Sequence, residues 1–346
     1  MTRLPALSLG ILLCGSFAQA AEPDPLFASD DVLAITLTAP IELIDNERDK
    51  EKEYEGNISY TDGDGNEVVL NASFQVRGNW RLDPRNCNYS QLWVDLRRGE
   101  LPGTLFANQN RLKLVVQCRN TDRYAEYVQQ ELQVYHMFSQ LSDYYFDTRP
   151  LQVTYVDSED PDSVRTHAGF FIEHQNRLSE RLQMAEVEET RVAISDLNEL
   201  QSTLVALFMF MIGNTDFSLI QGPVGEECCH NGKLLQADDG KYYPVPYDFD
   251  ASGFVDTTYA PLPHPDFGLR NNRDRIYRGY CVDAVVLDEA VARFRDRREQ
   301  LMAIVSEDPN VSNRVTRRNV RFMEEFFETL DDERDFRRHI IDDCRP

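Results

Sequence analysis

Basic residues are scarce in this sequence of 346 residues, compared with acidic ones. Lys and Arg together number 36, whereas Asp and Glu number 59, so the formal net charge is -23 at pH 7. A nucleic-acid-binding protein needs a basic surface to contact the phosphate backbone, and no basic stretch offsets the acidic excess. The composition therefore argues against a nucleic-acid partner. It is compatible with binding to cations or to basic protein surfaces.

Long hydrophobic runs are missing after the first residues of the chain. The apolar leader from Leu4 to Phe17 follows Arg3 and precedes Ala18-Gln19-Ala20, which has the small-x-small pattern of a signal-peptide cleavage site. The leader is too short for a mature membrane-spanning helix, and no later segment approaches the required length. We therefore expect residues 1–20 to be a signal peptide. The mature protein would be exported, either periplasmic or secreted, without a membrane span.

Cysteines occur in an even number after the leader, which is typical of disulfide bonding in an exported chain. They are Cys87, Cys118, Cys228, Cys229, Cys281 and Cys344. We predict a bond between the first two because both flank the same predicted sheet. The adjacent pair is expected to bond to different partners, with the last two as the remaining candidates. Zinc binding is the alternative, although adjacent cysteines lack the usual two-residue spacer.

The order of predicted elements indicates an α+β protein. Alternating, strand-like stretches dominate the first half, and one clear helical pattern runs from Tyr124 to Leu141 within it. After about residue 175 the patterns are mainly helical. We predict a β-rich lobe over 28–175, including that long helix, and a helical lobe over 176–346. An active-site cleft is expected between the two lobes.

Acidic residues follow a buried helix and a hairpin in a suggestive order. Residues 208–221 read FMFMIGNTDFSLIQ, so a strongly apolar run ends at Asp216. A candidate hairpin over 233–246 then leads to Asp248 and Asp250. Positions two apart in extended backbone share a face, so these two carboxylates would point the same way. Paired carboxylates suit Mg²⁺ or Mn²⁺.

These parts match what phosphoryl transfer requires. One carboxylate orients the attacking hydroxyl, here Asp216, and another holds the metal on the phosphates, here Asp248. In kinase loops a metal-binding amide stands five residues after the first aspartate, and Gln221 occupies that position. Lys113 on a predicted strand and Glu131 on the long helix complete the set. A lysine held by a helix glutamate can reach nucleotide phosphates.

Glu131 has two open interpretations. It lies four residues from both Tyr127 and Tyr135, within the apolar stripe of its helix. A carboxylate that faces a core needs a nearby cation, because burial of an unpaired charge is costly. Alternatively, Glu131 lies at the edge of the stripe and reaches water.

Several motifs resemble the CotH kinase family, which is named for a spore-coat protein kinase with an atypical kinase fold. They are Val76-Arg77-Gly78-Asn79, Asn214-Thr215-Asp216, Pro246-Tyr247-Asp248-Phe249-Asp250 and Arg275-Ile276-Tyr277-Arg278-Gly279-Tyr280-Cys281. The similarity covers about residues 70–282 and is strongest to exported bacterial members. It implies a two-lobed kinase-like fold, ATP or another nucleotide as cofactor, Asp216 as the catalytic aspartate, Asp248 as the main metal ligand and Asp250 as a supporting residue.

The chain departs from the pattern of that family in two places. Gln221 stands where the family has an asparagine, and the strand that usually ends in lysine here ends in Asp95-Leu96. The lysine that grips the nucleotide is therefore either Lys113 or missing. No glycine-rich phosphate loop is evident, although the backbone at Arg77-Gly78-Asn79 can play a related part. The side chain of Arg77 is a candidate for binding phosphate or for forming a salt bridge.

Three functions are compatible with these sequence features. The favoured one is metal-dependent phosphoryl or nucleotidyl transfer from a nucleotide to a protein or small-molecule acceptor. The second is a non-catalytic kinase-like scaffold of the cell envelope, which the two departures favour. The third is a metal-dependent hydrolase that uses the same carboxylates, with water in place of an acceptor hydroxyl.

Overall fold

A computed structural model describes residues 24–346, so the predicted signal peptide lies outside the described residues. The strands are β1 (Leu33–Ala39), β2 (Glu53–Thr61), β3 (Glu67–Arg77), β4 (Gln91–Leu96), β5 (Arg111–Val116), β6 (Thr148–Asp157), β7 (Val164–Ile172), β8 (Ala185–Glu186), β9 (Gly232–Gln236) and β10 (Tyr242–Pro246). The helices are α1 (Ile41–Glu47), α2 (Asp122–Ser139), α3 (Gln175–Leu182), α4 (Glu199–Ile212), α5 (Ala284–Asp296), α6 (Arg298–Ser306), α7 (Asn313–Asp331) and α8 (Glu333–Phe336).

The strands of the first half form a closed barrel in the order β1-β2-β3-β4-β5-β7-β6. Neighbouring strands are antiparallel except β1 and β6, which pair in parallel and close the sheet. The remaining strands form a small sheet in the order β10-β9-β8. The α+β class is right, but the predicted two-lobed kinase-like fold is wrong. The alternation of apolar residues revealed single strands, and it could not show that β1 pairs with a strand so far along the chain.

The barrel has its own hydrophobic core, separate from the core under the helices. Leu114 and Phe171 point inward and are fully buried in the barrel interior. Because successive side chains on a strand point to opposite faces, Val115 and Phe170 point outward, and they pack in the helical core. Strands β5 and β7 are therefore buried on both faces and bridge the two halves of the molecule.

The outer face of the barrel carries a row of residues that are aligned by strand pairing. Gln75 on β3 lies opposite Trp93 on β4, and Trp93 lies opposite Lys113 on β5. Lys113 in turn lies opposite Ile172 on β7. This register brings side chains from four strands onto one surface patch, and that patch becomes one wall of the candidate site.

Helix α4 explains the apolar run of residues 208–212. It contacts α5, α7 and β10, so all sides of its second half are covered, and a helix that is hydrophobic all round is expected to be buried. The side chain of Asn198 caps its first turn by accepting a hydrogen bond from the N–H of Gln201. The helix ends at Gly213, which has the left-handed φ of 64° that glycine adopts without strain.

Three disulfides occur in the described part of the chain, which is compatible with an exported protein. The predicted bond between Cys87 and Cys118 is confirmed. The prediction of different partners for Cys228 and Cys229 is wrong, because these neighbours are bonded to each other, and Cys281 is bonded to Cys344. Among residues 24–346, no helix combines the length and the apolar character needed to cross a bilayer.

His167 is a buried base inside the barrel and predicts a pH-dependent stability. Its ring lies against Tyr89, with 4.4 Å between ring centroids, and neither ring nitrogen has a hydrogen-bond partner among the described residues. Burial, with a smaller contribution from Arg165, lowers the pKa of His167 to about 4. The unfolded chain, with an ordinary histidine pKa of about 6.5, binds the proton first as the pH falls. Stability should therefore be retained above pH 6.5 and lost towards pH 4.

The pH dependence can be isolated with His167→Phe, which keeps an aromatic ring and removes the proton site. The linkage relation predicts that wild type loses about 2.5 kcal/mol more than the variant between pH 7.5 and pH 4.5. Urea unfolding at the two pH values measures this difference. Equal losses in the two proteins would show that His167 is not held neutral in the fold.

Candidate functional site

A cavity of about 760 Å³ lies between the outer wall of the barrel and the loops around β9 and β10. The barrel contributes Trp93, Lys113 and Arg77 to its lining, and the facing loops contribute His230 and Asp248. A tryptophan in a strand is usually expected to be highly buried, but Trp93 lines the cavity. The cavity brings together residues that the sequence placed in four separate motifs.

Asp248 is placed by the hydrophobic residue that follows it. Phe249 is fully buried, and its ring packs 4.7 Å from that of Tyr135 on α2. The hydroxyl of Tyr135 accepts a hydrogen bond of 3.0 Å from the backbone N–H of Asp248. Asp248 itself has a φ of 63°, a left-handed conformation in which Asp is enriched over most residues. This anchored turn presents Asp248 to the cavity and Asp250 to the protein interior.

Arg81 joins the two aspartates. It comes from the short turn Trp80–Leu82 after β3, and its Nη2 lies 2.9 Å from Oδ2 of Asp250 and 3.6 Å from Oδ1 of Asp248. Nζ of Lys113 lies 3.7 Å from the same Oδ1 atom. Arg77 stands beside them, and its Nη2 donates to the carbonyl oxygen of Leu114. Three buried cations thus surround Asp248 at the end of the cavity.

Burial and neighbouring charges act in opposite directions on these groups. Burial alone would raise the pKa of Asp248, but Lys113, Arg81 and Arg77 outweigh it and lower that pKa to about 2. Burial, reinforced by Arg77 and Arg81, lowers the pKa of Lys113 in spite of Asp248. Burial and the adjacent Arg81 also lower the pKa of Arg77 to about 10. The cluster holds cationic side chains in a poorly solvated position, where an added anion would be attracted.

Glu131 faces the core, so the water-exposed alternative is wrong. It is only 2% exposed, and its Oε1 has no hydrogen-bond partner among the described residues. Burial, with the nearby charge of Asp250, raises its pKa well above the ordinary range. Glu131 forms no ion pair with Lys113, and Asp248 takes that place. The carboxyl therefore contributes to the cluster as a neighbour and not as the direct partner of the lysine.

Asp216 lies in a loop that is fixed from both sides. Asn214, which is 1% exposed, accepts a hydrogen bond from the backbone N–H of Asp216 through its side-chain oxygen. The guanidinium of Arg278 donates to the carbonyl oxygens of Thr215 and Phe217, the residues on either side of Asp216. Arg278 thus holds the backbone of this loop in place.

Two residues connect Asp216 to the cavity. Nε2 of His230 lies 2.7 Å from Oδ1 of Asp216, and Nδ2 of Asn231 donates to Oδ2 at 3.0 Å. The carbonyl of Asn231 accepts a 3.1 Å hydrogen bond from the N–H of Tyr247, the residue before Asp248. Asp216 and Asp248 are thus linked through a short segment after the disulfide of Cys228–Cys229. His230 and Asn231 both belong to the lining of the cavity.

The structure does not bring Gln221 into this arrangement. Gln221 is exposed, is absent from the cavity lining and pairs through its backbone with Arg191. We therefore leave it out of the proposed metal site. An amide does lie beside Asp216, but it belongs to Asn231. Sequence reasoning missed this residue because the separation from Asp216 is longer than in kinase loops.

Arg81 and His230 were also missed by sequence reasoning. The sequence gives only a weak indication that Arg81 belongs to the site: it stands four residues after Arg77, in the same motif region. His230 directly follows Cys228 and Cys229, for which the sequence suggested only disulfides or zinc. The sequence carries no sign that a residue 14 positions after Asp216 hydrogen-bonds to its carboxylate.

A divalent metal fits this site only together with phosphates. Oδ1 of Asp248 has no hydrogen-bond partner among the described residues, so it can take a ligand, whereas Asp250 is held by Arg81. Within residues 24–346, no group of three or more His, Cys, Asp or Glu side chains is placed to hold a metal ion. Mg²⁺ is commonly bound by one or two carboxylates plus the phosphates of a substrate. Asp248 suits such an ion and does not build a metal site alone.

No protein-family model matches the chain, and no curated protein matches it either. The resemblance to the CotH kinase family therefore stays a prediction.

Proposed function

We propose that this protein transfers the terminal phosphoryl group of a nucleotide to a hydroxyl group of a protein or small-molecule acceptor. The observation that carries the proposal is the meeting of Lys113 and Asp248, 3.7 Å apart, at the end of a cavity of about 760 Å³. A lysine that can reach phosphates and a carboxylate that can hold a metal ion are two of the parts that phosphoryl-transfer sites share. Their burial strengthens each interaction because water screens it less.

The cationic end of the cavity is the proposed phosphate site. Lys113 and Arg77 line it, and Arg81 lies behind Asp248. Asp248 would hold Mg²⁺ or Mn²⁺, which when bound neutralises charge on the phosphate oxygens. Arg81 keeps Asp250 and Asp248 in place, so Asp250 acts in support. When Glu131 is ionised, its negative charge reduces the net positive charge of the cluster. Its raised pKa favours the neutral form.

The other end of the proposed site is the loop of Asp216. This carboxylate is 45% exposed and fixed by hydrogen bonds from His230 and Asn231. A carboxylate in this position can orient an acceptor hydroxyl, which is the role of the catalytic aspartate in phosphoryl transfer. The segment from Asn231 to Asp248 then links the acceptor end to the phosphate end.

A non-catalytic binding scaffold is the second candidate. It is favoured by the ion pair between Arg81 and Asp250 and by the position of Gln221 outside the cavity, because both reduce the number of ligands available to a metal. A scaffold of this kind would still bind an anionic ligand at Lys113 and Arg77. It would not turn over a nucleotide.

The proposal predicts that nucleotide and metal stabilise the protein together. A non-hydrolysable ATP analogue with Mg²⁺ at about 100 times its Kd should raise the Tm by about 5 °C, whereas Mg²⁺ alone should leave the Tm unchanged. Asp248→Asn should lose the metal-dependent part of the shift, because it removes a charged ligand. Asp266→Asn, at a carboxylate 85% exposed and outside the cavity lining, is the matched control.

Turnover separates a transferase from a scaffold. Wild type with γ-labelled nucleotide should release or transfer label, and Asp216→Asn should do so at least about 100-fold more slowly while keeping the thermal shift. A shift without turnover in wild type favours the scaffold. If no nucleotide moves the Tm with Mg²⁺ or Mn²⁺, phosphoryl transfer at this site is excluded.

A further inference from the structure

We infer that His230, and not Asp216, receives the proton of the acceptor hydroxyl, and that Asp216 acts by positioning His230. This inference rests on the proposed function and adds a catalytic residue to it. It is carried by the hydrogen bonds of the Asp216 carboxylate and by which residues reach the cavity.

The carboxylate of Asp216 is already engaged by the protein. Oδ1 lies 2.7 Å from Nε2 of His230, and Oδ2 accepts a 3.0 Å hydrogen bond from Nδ2 of Asn231. The same Nδ2 group also donates to the backbone carbonyl of Asp216 at 2.6 Å. Each carboxylate oxygen of Asp216 therefore already has a hydrogen-bond partner within the protein.

The positions of these three residues relative to the cavity also support His230 as the group that contacts the substrate. His230 and Asn231 line the cavity, whereas Asp216 is not part of its lining. The side chain of His230 is 40% exposed. His230 therefore borders the cavity directly, whereas Asp216 is connected to it through His230 and Asn231.

The hydrogen bond also selects a basic nitrogen on the imidazole. When Nε2 donates its hydrogen to Asp216, the neutral ring carries a free lone pair on Nδ1. In the part of the chain that the structure describes, Nδ1 of His230 has no hydrogen-bond partner. A base oriented by a carboxylate through its other nitrogen is the arrangement that hydrolases use to activate a hydroxyl.

The charges around His230 favour its protonated form. The hydrogen bond to Asp216 raises the pKa of His230 in spite of partial burial, and the charges of Asp248 and Glu226 add to the effect. Cations also face these partners: Arg81 and Lys113 pair with Asp248, and Arg278 binds the backbone beside Asp216. The imidazolium that forms during transfer would thus be stabilised by Asp216.

The proposed step is a displacement at the terminal phosphorus of the nucleotide. The O–H bond of the acceptor breaks, and its proton goes to Nδ1 of His230. The acceptor oxygen bonds to the terminal phosphorus of the nucleotide. The bond between that phosphorus and the bridging oxygen breaks, and the nucleoside diphosphate leaves with the electron pair. His230 then returns the proton to solvent.

Histidine NMR tests the pairing without any turnover. In protein with ¹³C-labelled histidine, we assign the His230 signal by its loss in His230→Gln and titrate it in wild type and in Asp216→Asn. The pKa should lie above 6.5 in wild type and fall by at least about 1 unit in Asp216→Asn, since the charged partner is lost. An unchanged pKa would overturn the positioning role of Asp216. The signal of His264, which lies beside Asp266 on the surface, serves as the internal control and should not respond to Asp216→Asn.

Kinetics tests the catalytic role of His230. His230→Gln should lower kcat at least about 100-fold with little change in nucleotide KM. Wild-type kcat should rise with pH through the His230 pKa measured by NMR, because only the neutral ring accepts a proton. His264→Gln should leave both kcat and its pH profile unchanged. Turnover that survives His230→Gln overturns this inference alone, whereas the absence of turnover in wild type overturns the proposed function and this inference together.

Discussion

Replacing Arg81 with methionine is expected to lower the free energy of unfolding by about 3–5 kcal/mol, the usual cost of removing one partner from a buried ion pair. The side chain of Arg81 is only 9% exposed and lies 2.9 Å from Asp250. Its removal leaves Asp250 buried without its cation and Asp248 with Lys113 as its remaining partner within 4 Å. Burial already raises the pKa of Asp250, so loss of Arg81 should raise it further.

The same substitution four residues later provides the control. Arg85 pairs with Asp83, but its side chain is 87% exposed, so Arg85→Met should change the free energy of unfolding by less than about 1 kcal/mol. Urea unfolding of both variants measures the contrast. Adding Asp250→Asn to Arg81→Met should recover part of the loss, because it removes the unpaired charge. A loss in Arg81→Met as small as that in Arg85→Met would mean that the cluster is open to water.

Replacing Phe249 with alanine is expected to cost about 3–5 kcal/mol and also to weaken the nucleotide-dependent stabilisation. The ring is fully buried and packs against Tyr135 and Phe208, so its loss leaves a cavity in the helical core. Phe249 also fixes the turn that carries Asp248, whose N–H donates to Tyr135. Stability and ligand binding should therefore decline together.

Two further variants separate the two effects of Phe249. Phe249→Leu keeps most of the volume and should cost less than about 1.5 kcal/mol. Phe106→Ala removes an equally buried ring from the barrel interior, remote from the cavity lining, and should destabilise the protein while leaving the ligand-induced Tm shift intact. Urea unfolding and the thermal shift with the ATP analogue measure both quantities. An unchanged shift in Phe249→Ala would show that the Asp248 turn does not depend on this anchor.

The helices and most strands could be predicted because their causes are local. The apolar stripe from Tyr124 to Leu141 follows the helical period, and the structure has α2 there. The hairpin between Asp216 and Asp248 is present as β9 and β10. The architecture could not be predicted in this way. Closure of the barrel depends on the parallel pairing of β1 with β6. The sequence of either strand by itself does not identify its partner.

The same distinction between local and long-range causes applies to the candidate site. The chemistry of Asp216, Asp248 and Lys113 was visible in their motifs, because the two aspartates follow a buried helix and a hairpin and the lysine lies within an apolar strand. The partners of these residues were not visible. Arg81, His230 and Asn231 contact them from separate turns, and Gln221 was chosen from a loop spacing that this chain does not follow.

By itself, the sequence determined which segments are helical or extended, that the chain is strongly acidic, and which charged residues follow buried elements. These properties depend on residues that are close in the sequence, so they can be recognised from the sequence alone. Only the tertiary structure decided that Lys113 pairs with Asp248, that Arg81 joins two aspartates and that His230 stands between Asp216 and the cavity. Those contacts arise from strand register and from packing between distant segments. The physical reason is that a contact between distant residues depends on the whole path of the chain between them.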